Sequence, residues 1–268
     1  MSQIHRTAIV EDGAKLGEGV SVGPFSVIGP DVVLGDGVSI GSHVLVTGHT
    51  EIGDRTRVSP FAVIGEAPQD TSYKGEPTSV LLGPDCIIRE HVTIHRGTRR
   101  GRGQTKVGAH CFLMVGAHVA HDCVLGDHVT FVNNATVGGH VEVGEYAILG
   151  GLSAVQQKLR IGAHAFVGGH SGIGGDLIPF GIGVGRGARL GGLNLVGLRR
   201  RGFDRPTIHA LRAAYREIFF GEGTVEERAE VAAERYAGVE AVLRVVEFIR
   251  GAGNRPLCTP RDPDLEED

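Results

Sequence analysis

The sequence predicts a prism of short parallel β-strands, a β-helix, followed by a small helical region. An aliphatic residue recurs every six positions, and glycine supplies 43 of 268 residues, more than twice the usual share of about 7%. Near residue 200 the six-residue period gives way to helical spacing.

From Ile4 the aliphatics fall at Val10, Leu16, Val22, Ile28, Leu34, Ile40, Val46, Ile52, Val58 and Ile64 without a miss. The register resumes at Leu82, Ile88 and Ile94, slips by one, and runs from Val107 through Leu113, Val119, Leu125 and Phe131 to Ile173, twenty-six hexads in all. Four residues after each aliphatic sits a small or β-branched residue, such as Ala14, Val20, Val38 or Ala135. Six residues advance an α-helix by about 600°, so it could not keep that stripe on one face, whereas short strands with period-two alternation can. Three hexads close one coil of eighteen residues, and glycine or small polar residues are expected at the bends. Residues eighteen apart then stack on one face.

Two segments break the period and must leave the wall as loops. Residues 66–81 place Asp70 and Glu76 where core aliphatics belong, and residues 95–106 carry Arg96, Arg99, Arg100, Arg102 and Lys106 with no core pattern. Beyond the hexads, Ile208, Leu211, Tyr215, Ile218 and Phe219 follow helical spacing between Pro206 and Gly221. Thr224 and Glu227 form a capping box, and Val239, Val242, Leu243, Val246 and Ile249 make another apolar stripe, so two or three helices are expected. The division is a β-helix over 1–190, a helical domain over 191–255 and a disordered acidic tail over 256–268.

Composition narrows the function. A 41% hydrophobic content excludes a disordered chain, and a net charge of −4 excludes a generally basic nucleic-acid binder. No export signal and no membrane span is visible, and Cys86, Cys111, Cys123 and Cys258 form no CxxC pair, which predicts a reducing cytoplasm and cysteines used for packing.

The histidines sort by repeat phase. His121, Gly139 and Gln157 form one column and Asp122, His140 and Lys158 the next. A neutral imidazole is the usual general base near pH 7, and the unobstructed backbone N–H of a glycine one coil away suits an acyl-transfer oxyanion. Asp122 could support the imidazole, although neighbouring residues on a strand point to opposite sides. A surface histidine on a solvated wall, or a zinc triad of His118, His121 and His140, are the competing readings of the same residues.

The segments QDTSYKGEPT (69–78), TIHRGT (93–98), AHVAHDC (117–123), NNATVGGHV (133–141) and GLRRRGF (197–203) resemble the UDP-N-acetylglucosamine O-acyltransferases, acyl-carrier-protein-dependent hexapeptide-repeat enzymes that open lipid A biosynthesis. The resemblance covers nearly the whole chain. It implies a left-handed coil, a homotrimer with sites between prisms, no metal and no cofactor. It implies that His121 is the general base for the glucosamine 3-hydroxyl, that Gly139 supplies the oxyanion N–H, and that Asp122 is the carboxylate beside the base. Gln69, Asp70, His95, His118 and His140 match sugar-contact and positioning places, and Gln157, Asn194, Arg200 and Arg201 match places near the nucleotide. Gly169 matches the position that limits acyl length, where a missing side chain leaves room for a long (R)-3-hydroxyacyl donor. Two departures stand out: Ser72 where the family commonly has lysine, and Gln156 where it often has histidine. A 3-amino UDP-sugar acceptor or acetyl-CoA as donor is the alternative.

Overall fold

A computed structural model describes residues 2–260. Twenty-six short strands, β1 (Gln3–Ile4) to β26 (Gly172–Ile173), carry the twenty-six hexad aliphatics, one each. Every third strand pairs in parallel, so these strands form the three walls of a left-handed β-helix, with nine, nine and eight strands, and two later strands extend the first wall to eleven. Within uninterrupted stretches the register is eighteen residues, as in Thr130 against Ile148, and stacking at ~4.8 Å per coil gives a prism about 40 Å long.

The hexad aliphatics from Val22 onward and the residues four places later, Val20, Val38, Ala62, Ala117 and Ala135 among them, fill the interior. Burying each large aliphatic is worth about 1.5–3 kcal/mol, and each coil covers the next, so no coil is stable alone. The first coil has one neighbour only, which is why its hexad aliphatic Ile4 remains exposed. Cys86, Cys111 and Cys123 are buried free thiols in the same interior positions, and burial pushes the Cys123 thiol up to about 12, as expected of packing residues.

The bends differ from expectation. Among the described residues seventeen non-glycine residues, including His110, Asp122, His128, His140 and Tyr146, adopt φ near +60° at the corners. Each pays roughly 1–2 kcal/mol for the left-handed conformation. Stacking down the corner offsets it: His110 lies 4.8 Å from His128, His128 4.5 Å from Tyr146, and Tyr146 5.0 Å from His164, all near-parallel.

The loops are shorter than the sequence suggested. Residues 79–82 and 104–107 are strands that pair with each other, the first also with His49–Ile52 and the second with Val124–Leu125, leaving 67–78 and 96–103 outside the wall. A strand pair, β27 (Gly181–Val184) against β28 (Arg189–Leu193), closes the prism antiparallel and carries the wall past residue 190. Among the described residues four helices follow: α1 (Leu195–Arg200), α2 (Arg205–Phe219), α3 (Val225–Arg235) and α4 (Glu240–Arg250). Asp204 caps α2, and the Thr224–Glu227 capping box opens α3 as predicted. α1 is the helix the spacing did not reveal.

Residues 256–260, assigned to the tail by composition, return to the prism: Leu257 bridges Asp176, and the buried Cys258 donates its N–H to Asp176 O at 2.9 Å. Asp176, wholly buried, accepts from Arg160 Nε at 2.7 Å and Arg255 Nε at 3.0 Å, which pins this segment beside α4. The remainder of the expected tail, 261–268, lies outside the described residues. Among the described residues no helix is long and apolar enough to cross a membrane.

Candidate active site

His121 and Asp122 occupy a corner, not a strand, and that corrects the alternation argument. Asp122 takes φ +60°, which turns its carboxylate alongside its neighbour, and its Oδ2 lies 2.8 Å from His121 Nδ1. The column predicted by adding eighteen is present in the backbone: His140 N–H donates to His121 O, and Lys158 N–H to Gly139 O, both at 2.9 Å.

Asp122 is fully buried beneath the second loop. Its oxygens accept from Thr98 N–H, Thr98 Oγ1, Arg102 N–H and Gly103 N–H, while its own N–H donates to Thr105 Oγ1. Burial alone would raise its pKa, but the Thr98 and His121 hydrogen bonds outweigh it and hold the carboxyl below the usual range. An ionised carboxylate only accepts, so His121 Nδ1 carries the proton and Nε2 is left with its lone pair.

Gly139 lies against that ring. A Cβ built on it would stand 2.5 Å from His121 Cε1 and 2.6 Å from Nε2, so glycine is required for the imidazole to sit where it does. Among the described residues the Gly139 N–H has no hydrogen-bond acceptor. His140 crosses His121 edge-on at 5.0 Å, and burial lowers its pKa against the pull of Asp122.

His140 lines a cleft of about 640 Å³ together with Asp70, Ser72, Arg100, Lys158 and Arg255. His121 is set behind His140, with 16% of its side chain exposed. Ser72 N–H donates to Asp70 Oδ1 at 2.8 Å and, together with the serine side chain, holds that carboxyl low. His95 and His118 meet edge-on at 5.1 Å, and His118 Nδ1 is 2.7 Å from Thr93 Oγ1; burial pushes His118 down to about 4. Gln69, Gln156 and Gln157 are exposed.

The second loop is less freely cationic than its sequence implies. Arg96 donates to Tyr73 Oη at 2.9 Å and Gly65 O at 2.7 Å, bracing the two loops together, and Arg102 pairs with Glu142. Arg99 and Arg100 make no ion pair among the described residues. The zinc triad weighed from the sequence is not assembled: His121, Asp122 and His140 offer donor atoms within 4.8 Å, whereas His118 stands apart with Thr93. Both Asp122 oxygens are occupied by loop donors and by the His121 Nδ1 proton, so this set does not fit a cation without dismantling the loop.

Asn194, Arg200, Arg201 and Gly169 are not gathered at His121. Asn194 caps α1, accepting from Gly197 N–H and donating to His164 O, both at 3.0 Å, so its amide is engaged internally. Arg201 donates to Tyr146 O at 2.7 Å and lines a separate cavity of about 890 Å³ between Phe180, Phe203 and α4. Arg200 and Gly169 are exposed. Thr98 is the site residue that sequence reasoning passed over. Its signal was a threonine flanked by Gly97, Gly101 and Gly103, which let the loop backbone close on a carboxylate; a Cβ on Gly101 would collide with Asp122 itself.

Residues 13–48, 31–66 and 104–139 match the bacterial transferase hexapeptide model (six repeats), and residues 176–258 match domain 2 of UDP-N-acetylglucosamine O-acyltransferase. The acyl-[acyl-carrier-protein]–UDP-N-acetylglucosamine O-acyltransferases of Rhizobium johnstonii and Bartonella henselae are 46% and 47% identical, each alignment covering 97% of this chain and 95% of the relative. The chain belongs to the UDP-N-acetylglucosamine O-acyltransferase family. Solved members agree in fold: the Campylobacter jejuni UDP-N-acetylglucosamine acyltransferase superposes with a TM-score of 0.92 at 36% identity, covering 97% of this chain and all of that one. The Francisella novicida enzyme gives 0.93 at 33%, covering 98% and 95%. Family and fold thus coincide with what the hexads and the five motifs predicted.

Proposed function

We propose that the chain transfers an (R)-3-hydroxyacyl group from acyl carrier protein to the 3-hydroxyl of UDP-N-acetylglucosamine, the first step of lipid A biosynthesis, in the cytoplasm and without metal or cofactor. The observation that carries the mechanism is the His121–Asp122 pair with Gly139 against the ring. His121 Nε2 takes the hydroxyl proton as the oxygen attacks the thioester carbonyl, Asp122 stabilises the imidazolium that forms, and the Gly139 N–H receives the developing oxyanion. His121 then returns the proton to the departing thiolate.

Asp70, Gln69, His95, His118 and His140 are assigned to the sugar, and Gln157, Asn194, Arg200 and Arg201 to the nucleotide. Their separation within one chain is accounted for by a homotrimer whose sites lie between prisms. Gly169 leaves the far wall without a side chain and favours a long acyl chain.

The test is acyl transfer from a long (R)-3-hydroxyacyl carrier protein to UDP-N-acetylglucosamine, with acetyl-CoA and a 3-amino UDP-sugar run beside it. A folded His121→Ala variant is expected to lose at least about 10²-fold in kcat, since general-base catalysis contributes 10²–10⁴. Full activity without His121, or no transfer by the native chain, overturns the reading.

A further inference from the structure

We propose that Thr98 is a positioning residue for the base: its hydroxyl acts through Asp122 to orient His121 and to set the proton affinity of the imidazole. The inference rests on His121 being the base. Thr98 Oγ1 lies 2.7 Å from Asp122 Oδ2, the same oxygen that faces His121 Nδ1 at 2.8 Å, so threonine, carboxylate and imidazole form one chain of hydrogen bonds.

The direction of the threonine proton follows from its other partner. Gly101 N–H donates to Thr98 Oγ1 at 3.1 Å, and an N–H only donates, so the hydroxyl's own proton is directed at Asp122. Thr98 is 4% exposed and Asp122 wholly buried, so water does not replace either bond. A hydroxyl donated to a carboxylate withdraws charge from it, and a less basic Asp122 stabilises imidazolium less. Removing the hydroxyl therefore makes His121 easier to protonate and moves the acid limb of activity to higher pH. The surrounding charges are those of His140 and Lys158 on the corner, Asp70 and Arg100 on the loops, Arg102 with Glu142, and His95 and His118 on the adjoining strands. All of these remain in place when only the threonine oxygen is removed.

A purely structural role is separable. The loop is also tied to Asp122 by Arg102 N–H and Gly103 N–H, at 2.8 and 3.1 Å, and these backbone bonds survive any change at the Thr98 side chain. A Thr98 that merely kept the loop shut would, on substitution, raise KM and leave the pH profile alone.

The experiment is the pH dependence of kcat/KM for Thr98→Val, Thr98→Ser and Thr98→Ala beside the native chain and His121→Ala, with melting curves for each. Thr98→Val is expected to lose about tenfold in kcat with little change in KM, and to move the acid limb up by about half a unit or more; Thr98→Ser is expected to restore both. Thr98→Ala gives the same comparison if valine prevents folding. An acid limb unmoved in the valine and alanine variants, or a serine variant that fails to restore it, overturns the proposal. If His121→Ala is itself fully active, it is the general-base reading that fails.

Discussion

The Gly139→Ala substitution tests the site geometry with a single methyl group. Its Cβ would stand 2.5–2.6 Å from two atoms of the His121 ring, where non-bonded carbons settle at about 3.5–4.0 Å, so the imidazole must retreat by about 1 Å. The ring cannot do so and keep its 2.8 Å bond to Asp122, because Asp122 is held by donors from the loop. A 1 Å misplacement of a catalytic group costs about 10²-fold, so kcat is expected to fall by roughly that factor while the melting temperature stays within a few degrees. The assay is carrier-protein-dependent acyl transfer at saturating substrate. Gly172→Ala serves as control, since a Cβ there meets nothing within 4 Å. A Gly139→Ala enzyme within about threefold of native would refute both the required closeness of glycine to the ring and the use of that closeness in catalysis.

Two further outcomes follow from the same geometry. His118 has its pKa pushed from 6.5 to about 4 by burial, so between those values the unfolded chain binds a proton that the folded one does not; stability should decline as pH falls from about 6.5 to about 4, and His118→Gln should flatten that part of the curve measured by urea unfolding. A curve as steep in the variant as in the native chain refutes the assignment. Gly169→Met is expected to shift donor preference toward shorter hydroxyacyl chains in competition assays with carrier proteins of different acyl length, and an unaltered profile would remove Gly169 from the acyl path.

The hexads made the fold legible because one burial rule repeats at every coil: the residue that must be apolar is the same one each time, and twenty-six strands stand on it. The two insertions were legible for the converse reason, since Asp70 or Arg99 cannot occupy the interior. Loop edges were not, because Val80 and Thr105 are buried strand residues embedded in segments whose overall composition is polar. The capping role of Asn194 was not legible either, because nothing in its neighbourhood of sequence announces a six-residue helix in need of a cap.

The relation of His121 to Asp122 was hidden by a sound rule applied to the wrong place. Alternation holds for residues in strands, and the corner between two strands obeys a different geometry in which an αL residue turns its side chain back beside its predecessor. A carboxylate so placed would be ruinous if merely buried, since an ion pays heavily for leaving water. Residues 96–103 supply what offsets that cost. Three of their N–H groups and one hydroxyl converge on Asp122, and the glycines at 97 and 101 allow an approach that any side chain would block. The second insertion is thus part of how this site is built and not an ornament on the wall: it is what allows an ionised, dry carboxylate to stand behind the imidazole.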